Sequence, residues 1–184
     1  MDDLEKRIVW LAGLTDGEGT ITVFTHKDNS QKWEFRRYTA IYCIVNTDPN
    51  IINEVQKILN DMGVSSYVFL RKSLNDKHSD AFQLSTRKMS HVKVLLEKLI
   101  PYLIGKKAQA ELTLRFVNSR LNRMGTGKNG YSPYNDEEIE ISHLLYELNK
   151  RGRYKSSETL CQTAIVKEAE DIVRTCGRPQ ELKS

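Results

Sequence analysis

Apolar residues recur every three to four positions at the start of the chain, a spacing that predicts a helix over residues 3–15. Strict alternation of apolar residues with threonine follows and predicts a strand over residues 20–27. A stretch rich in aromatic and β-branched residues predicts a second strand over residues 32–45. Between the helix and the first strand, the sequence Asp-Gly-Glu-Gly at residues 16–19 is expected to end the helix, because glycine favours positive φ angles.

Helical and strand patterns continue to alternate along the rest of the chain. Asp48 and Pro49 supply an N-cap acid and a proline at the first helical position, and Gly63 follows the last apolar residue of that helix. The later patterns predict strands over residues 66–72 and 80–86 and helices over residues 88–99, 106–122, 136–149 and 157–176. This order of elements predicts an α+β fold with four antiparallel strands.

The composition fits one ordinary domain. Hydrophobic residues make up 39% of the 184 residues, which is enough for a core and excludes a disordered chain. We expect the core over residues 1–124, a flexible loop over residues 125–134, and a helical extension over residues 135–184 packed on the same domain. Three cysteines without Cys-x-x-Cys spacing argue against a disulfide framework or a zinc site. The net charge of +4 permits nucleic-acid binding without establishing it.

One motif indicates which class of protein this chain resembles. Residues 11–19 read Leu-Ala-Gly-Leu-Thr-Asp-Gly-Glu-Gly and resemble the signature of the LAGLIDADG homing endonucleases, with six of the nine letters identical. Residues 101–110 resemble the family segment that carries the active-site lysine. The resemblance covers residues 4–122 and implies the family's αββαββα core with a four-stranded antiparallel saddle-shaped sheet, here followed by C-terminal helices.

The resemblance also implies a metal-dependent active site. Glu18, which conservatively replaces the second acid of the signature, would bind Mg²⁺ or Mn²⁺ together with the backbone of Gly17. Lys106 would supply positive charge near the phosphate, with Lys107 as the alternative. These residue types suit the chemistry, because carboxylates bind hard cations and lysine is a point charge.

The end of the second strand holds two further catalytic candidates, Asn46 and Thr47. The family usually has a glutamine there, followed a turn later by a basic residue. This chain has Ile51 at that later position, so the basic partner is missing.

The same motif implies a homodimer. The chain contains one copy of it, and one carboxylate end cannot build a pair of active sites. Small residues on a helix allow a second helix to approach closely. We therefore expect the first helix to contact its twofold mate through the motif residues Leu11, Ala12, Gly13 and Thr15.

DNA recognition is expected on one face of the sheet, because a sheet with one buried face can present the other to a groove. The candidate contacts on the strands are Thr22, Phe24, His26, Arg36, Arg37, Arg71, Lys72, Gln83 and Ser85. The sequence leaves the facing of the second strand open. Arg151 and Arg153 belong to a basic cluster that stabilises a helix end or binds phosphate.

We therefore expect a homing endonuclease that makes metal-dependent double-strand breaks with 3′ overhangs in a long, roughly twofold-symmetric DNA target. Two alternatives stay open: a non-cutting protein of the same fold, such as an intron maturase that binds RNA, and an interaction module that dimerises through its first helix. No targeting sequence or membrane span is visible. We expect no membrane partner and a DNA-associated protein, either cytoplasmic in a prokaryote or phage or located in an organelle.

Overall fold

The computed structural model describes residues 2–28, 35–73, 79–123 and 132–150, and at residues 27, 28, 35 and 36 it describes the backbone alone. This part of the chain contains five α-helices, a 3-10 turn (Ile100–Tyr102) and four strands. They are α1 (Asp3–Glu18), β1 (Gly19–Asp28), β2 (Phe35–Asn46), α2 (Pro49–Asp61), β3 (Tyr67–Arg71), β4 (Ala81–Thr86), α3 (Met89–Leu99), α4 (Lys107–Arg123) and α5 (Asp136–Leu148). None of these helices is long and apolar enough to cross a membrane.

The four strands form one antiparallel sheet in the order β1-β2-β4-β3. β1 pairs with β2 along its whole length, whereas the pairing of β4 with β2 ends at Tyr42 opposite Thr86. The predicted α+β fold and the order of its elements are therefore confirmed. The predicted helix over residues 157–176 and most of the predicted loop over residues 125–134 lie outside the described residues.

Alternate residues of β2 point into the core. Tyr38, Ala40, Tyr42 and Ile44 are buried, whereas Arg37 on the opposite face is exposed. The helices complete this core with Leu11, Ile52, Val55, Leu95, Leu96, Phe116 and Leu145. The odd-numbered positions of β2 therefore define the open face of the sheet, which settles the facing that the sequence left open.

α1 extends one turn further than the sequence predicts, through Gly17 to Glu18. The chain then becomes extended at Gly19, with φ −73° and ψ 159°. A Cβ atom at Gly19 would lie 2.7 Å from the carbonyl oxygen of Thr15. Glycine is needed here because the backbone passes so close to the helix, and no positive φ angle is involved. Among the described glycines, the positive φ angle belongs to Gly63 after α2, at 71°.

The segment around α5 is anchored to the sheet at both of its ends. The Tyr134 hydroxyl accepts a hydrogen bond from the N–H group of Tyr38 at 3.2 Å and donates one to its carbonyl oxygen at 3.1 Å. β4 does not reach this part of β2, so Tyr134 takes the place of a neighbouring strand. At the far end of α5, the Asn149 side chain donates to the carbonyl oxygen of Ile21 at 3.3 Å.

A buried carboxylate joins α4 to α5. Glu138 forms a capping box with Asn135 at the start of α5. The Glu138 carboxylate accepts a hydrogen bond from the Ser119 hydroxyl at 2.8 Å. It also lies 3.4 Å from a guanidinium nitrogen of Arg120 and 3.2 Å from one of Arg123. Because Glu138 and Arg120 are both buried, the Glu138 carboxylate compensates the charge of Arg120, while Arg120 and Arg123 together compensate the charge of Glu138.

Candidate active site and nucleic-acid face

The end of α1 meets the end of β2 at the surface of the protein. The Glu18 carboxylate accepts a hydrogen bond from Nδ2 of Asn46, at 2.5 Å. The amide oxygen of Asn46 in turn accepts a hydrogen bond from the N–H group of Asp48 at 2.8 Å. This second bond turns the NH₂ group of Asn46 toward Glu18. Two candidates from the sequence therefore lie in contact, while Thr47 is an exposed residue next to them.

The segment before α4 packs against the same end of α1. The Lys106 ammonium group donates hydrogen bonds to the carbonyl oxygens of Thr15, at 2.9 Å, and Asp16, at 2.5 Å. The Asp16 carboxylate accepts hydrogen bonds from the N–H groups of Ile104 and Lys106, at 2.8 and 2.9 Å. Partial burial lowers the pKa of Lys106, and the charge of Asp16 opposes that effect. Lys107, the next residue and the first of α4, is exposed.

The oxygen atoms at the end of α1 suit a hard divalent cation. Glu18 presents a carboxylate at the surface, and the last carbonyl groups of a helix, including that of Gly17, have no partner within the helix. The described residues contain no group of three or more His, Cys, Asp and Glu side chains placed to hold a metal. Mg²⁺ commonly completes its coordination shell with water and phosphate oxygens, so a small number of protein oxygens is compatible with it.

The exposed side of α1 includes two glycines and a tryptophan. Three residues predicted to contact a second copy are instead fully buried in the core of their own chain: Leu11, Ala12 and Thr15. The prediction is wrong for these three because apolar residues occur on both sides of α1, and their spacing does not show which side faces the chain's own sheet. Gly13 is exposed and lies in line with Trp10 and Gly17. A Cβ atom built at either glycine meets no described neighbour within 4 Å outside the helix backbone.

The open face of the sheet collects most of the predicted DNA contacts. The pairing register places on this face Thr22, Phe24 and His26 of β1, Arg37 of β2, Arg71 of β3, and Gln83 and Ser85 of β4. Phe24 is 52% exposed, and its ring packs edge to face against His26 with 4.4 Å between the ring centroids. Arg37 and Arg71 are exposed, and Lys72 is exposed directly after β3.

Four of the predicted contacts are either buried or have side chains outside the described residues. Ser85 is fully buried, with its hydroxyl accepting a hydrogen bond from Gln83 at 3.1 Å and with Cys43 and Tyr67 paired to it on either side. The predicted facing of Ser85 therefore agrees with the register, whereas its burial contradicts the expected direct contact with DNA. The backbone of Arg36 pairs with Lys27, but its side chain is not described. Arg151 and Arg153 lie outside the described residues.

Sequence reasoning missed an aromatic pair on β3. Tyr67 and Phe69 are each 41% exposed on the open face, with nearly parallel rings whose centroids lie 6.4 Å apart. The Arg87 guanidinium lies over the Tyr67 ring, 5.4 Å from its centroid. The alternation of aromatic residues along the strand was a usable signal. Their exposure follows from the position of β3 at the sheet edge, which the sequence does not give.

The fold matches solved structures of homing endonucleases. One is I-CvuI in complex with its target in the presence of calcium, 21% identical over 86% of this chain and 92% of that chain, with a TM-score of 0.60. Another is the archaeal intron-encoded I-Vdi141I complexed with DNA, 13% identical over 85% and 92%, with a TM-score of 0.61. The meganuclease I-SmaMI bound to DNA is 15% identical over 79% of this chain and 45% of that chain, with a TM-score of 0.55.

The sequence itself matches a family model. A comparison with curated protein sequences finds no match. The model described as LAGLIDADG endonuclease matches residues 11–117, which is more than half of the chain and includes the motif, the whole sheet and Lys106. The chain therefore belongs to the LAGLIDADG endonuclease family.

Proposed function

We propose that this chain is a homing endonuclease that acts as a homodimer and makes a metal-dependent double-strand break in a long, roughly twofold-symmetric DNA target. The observation that carries the proposal is the meeting of Glu18, Asn46 and Lys106 at the last turn of α1. β1 begins directly after this turn, so the acidic end adjoins the open face of the sheet. The family resemblance adds the expectation of 3′ overhangs.

Each residue at this end has a separate task in the proposed reaction. Glu18 and the Gly17 carbonyl would hold the divalent ion, and Asn46 orients the Glu18 carboxylate through its hydrogen bond. Bound there, Mg²⁺ or Mn²⁺ would activate a water molecule and stabilise the departing 3′ oxygen. Lys106 adds positive charge where negative charge develops on the phosphate.

The size of the sheet agrees with a long target. β1 has 10 residues, which span about 33 Å at about 3.3 Å per residue. That length corresponds to roughly 10 base pairs of B-form DNA. Two copies would follow a target of about 20 base pairs, and exposed arginine and aromatic side chains on the open face supply phosphate and base contacts.

The proposed homodimer places two α1 helices side by side. The chain corresponds to about half of I-SmaMI, of which it covers 45%, as expected if two copies build one nuclease. Gly13 and Gly17, four residues apart on the exposed face, would let the two helix backbones approach closely. Trp10, 43% exposed beside them, would be buried by the same contact.

Gly13→Leu is expected to separate the dimer. Gly13 is exposed and a Cβ atom built there meets nothing within 4 Å outside the helix backbone, so we expect the loss of association to arise between copies. Gly13→Ala is the matched control, because its small side chain preserves the close approach. Sedimentation velocity should show the Leu variant as a monomer and the Ala variant as a dimer. A wild type that sediments as a monomer both free and on DNA would contradict the proposed assembly.

Lys106→Met is expected to slow cleavage by about 10²-fold, the usual cost of one oriented electrostatic donor. DNA binding should weaken only slightly, since one contact among many is lost. Lys107→Met is the control, because the next residue of a helix points about 100° away. Single-turnover cleavage rates on one duplex compare the two variants. If Lys107→Met is the impaired variant, Lys107 rather than Lys106 has the catalytic role.

Selection of cleaved molecules from a random duplex DNA library tests the function itself. With Mg²⁺, the wild type should enrich one site of about 20 base pairs, consistent with the two-copy arrangement. Chelation of the metal should stop cutting. Binding to structured RNA that promotes splicing, with no DNA cleavage, would favour the maturase alternative. Dimerisation without binding to either nucleic acid would favour the interaction module.

A further inference from the structure

Asp16 contacts Lys106 at both ends of the lysine. Its carboxylate accepts the backbone N–H group of Lys106 at 2.9 Å and that of Ile104 at 2.8 Å. Its own carbonyl oxygen accepts the Lys106 ammonium group at 2.5 Å. One residue of α1 therefore holds both the backbone from which the lysine side chain starts and the charged group at which it ends.

The two acids of the motif point in different directions. Asp16 and Glu18 are two residues apart, which separates their side chains by about 200° around a helix. Glu18 faces Asn46 at the end of β2, while Asp16 faces the segment before α4. Both oxygens of the Asp16 carboxylate are engaged by backbone amides, so it is poorly placed to share the task of Glu18.

We propose that Asp16 is a positioning residue that sets the place of the Lys106 ammonium group relative to the Glu18 carboxylate, an inference that rests on the proposed cleavage function. A lysine side chain is long and flexible, and its charge acts on a reacting phosphate only from a defined place. α1 carries Glu18, and the carboxylate of Asp16 fixes the backbone of Lys106 to that same helix. The distance between the metal-binding carboxylate and the ammonium group is thereby set within one rigid unit.

Asp16→Asn tests this role with little change of shape. Two N–H groups point at the carboxylate, but an asparagine offers only one oxygen, so at least one of the two hydrogen bonds is lost. The single-turnover cleavage rate should fall by about 10- to 100-fold, the range expected when a catalytic group is slightly misplaced. DNA affinity measured with Ca²⁺ should change little, because the contacts of the open face stay intact.

Glu5→Gln is the matched control. The Glu5 carboxylate also joins α1 to the segment before α4, since it accepts a hydrogen bond from the Tyr102 hydroxyl at 2.8 Å. It has no contact with Lys106 among those described. Glu5→Gln should therefore cut at the wild-type rate, whereas a general need for carboxylate contacts between α1 and this segment would slow both variants.

A double-mutant cycle separates positioning from mere structural support. If Asp16 acts through Lys106, then Asp16→Asn should add almost nothing to the defect of Lys106→Met. A wild-type rate for Asp16→Asn, or an equal defect with and without Lys106, would overturn the inference.

Two NMR readouts decide the positioning without any cleavage. Amide exchange at Ile104 and Lys106 should accelerate in Asp16→Asn, and the Lys106 ammonium resonance should shift. Unchanged exchange and an unchanged ammonium resonance would overturn the inference even in an active enzyme. A wild type that cuts no DNA would instead defeat the proposed function, while these spectra still test the placement of Lys106.

Discussion

Glu18→Gln is expected to abolish DNA cleavage while leaving DNA binding nearly intact. Glutamine keeps the shape of the side chain and can still accept the hydrogen bond from Asn46, but it lacks the charge that holds a divalent cation. The cleavage rate should fall by about 10³-fold or more, since both the activated water and the stabilised leaving group depend on that ion. Affinity should persist because phosphate and base contacts come from the sheet.

The measurement pairs cleavage in Mg²⁺ with binding in Ca²⁺ on the same duplex. Glu140→Gln, an exposed carboxylate on α5, is the control and should behave as wild type in both. If Glu18→Gln cuts at close to the wild-type rate, Glu18 is not the metal ligand, and the proposed reaction at the end of α1 fails.

Glu138→Ala is expected to cause the largest loss of stability among single changes at charged residues described here. The substitution leaves the buried Arg120 guanidinium without its carboxylate and also removes the capping box of α5. Breaking a buried pair by removing one partner costs about 3–5 kcal/mol of the free energy of unfolding. For an ordinary domain with a total of about 5–15 kcal/mol, that is a large share.

Urea denaturation of Glu138→Ala and Glu137→Ala provides the comparison. Glu137 is the neighbouring residue and pairs with Arg115 at 2.7 Å, but both side chains are substantially exposed. An exposed pair contributes about 0–1 kcal/mol, so Glu137→Ala should unfold nearly as the wild type does. Equal losses in the two variants would show that burial does not distinguish these carboxylates.

The element pattern was predictable because it depends on local spacing. Asp48, Pro49 and Gly63 bound α2 as expected, since capping and turn geometry depend on adjacent residues. The end of α1 was not predictable in the same way. Gly19 is required by the close approach of the chain to Thr15, and a glycine in a sequence does not reveal which of its properties is used.

The side chains brought together across the chain were harder to predict. The motif indicated Glu18, and the resemblance of residues 101–110 indicated Lys106. Neither indicated that Asp16 would bind the backbone of a segment about 90 residues away, since local spacing carries no information on such contacts. The pairing of Arg120 with Glu138 could not be predicted either, because a charged residue on a helix usually faces water. Burial on the sheet was also ambiguous, and Ser85 shows that a residue on the correct face can be covered by its neighbours.

The hydrogen bonds of Tyr134 bear on how far this protein can be shortened. Exposed strand edges present unpaired N–H and C=O groups that recruit other chains and promote aggregation. Tyr134 occupies both backbone groups of Tyr38 on the part of β2 that β4 leaves uncovered, and Asn149 occupies a carbonyl group of β1. A truncated chain that ends after α4 would retain the motif and the sheet but lose this protection. A minimal engineering scaffold should therefore extend through Asn149, so that the strand edges stay covered and the protein does not aggregate at high concentration.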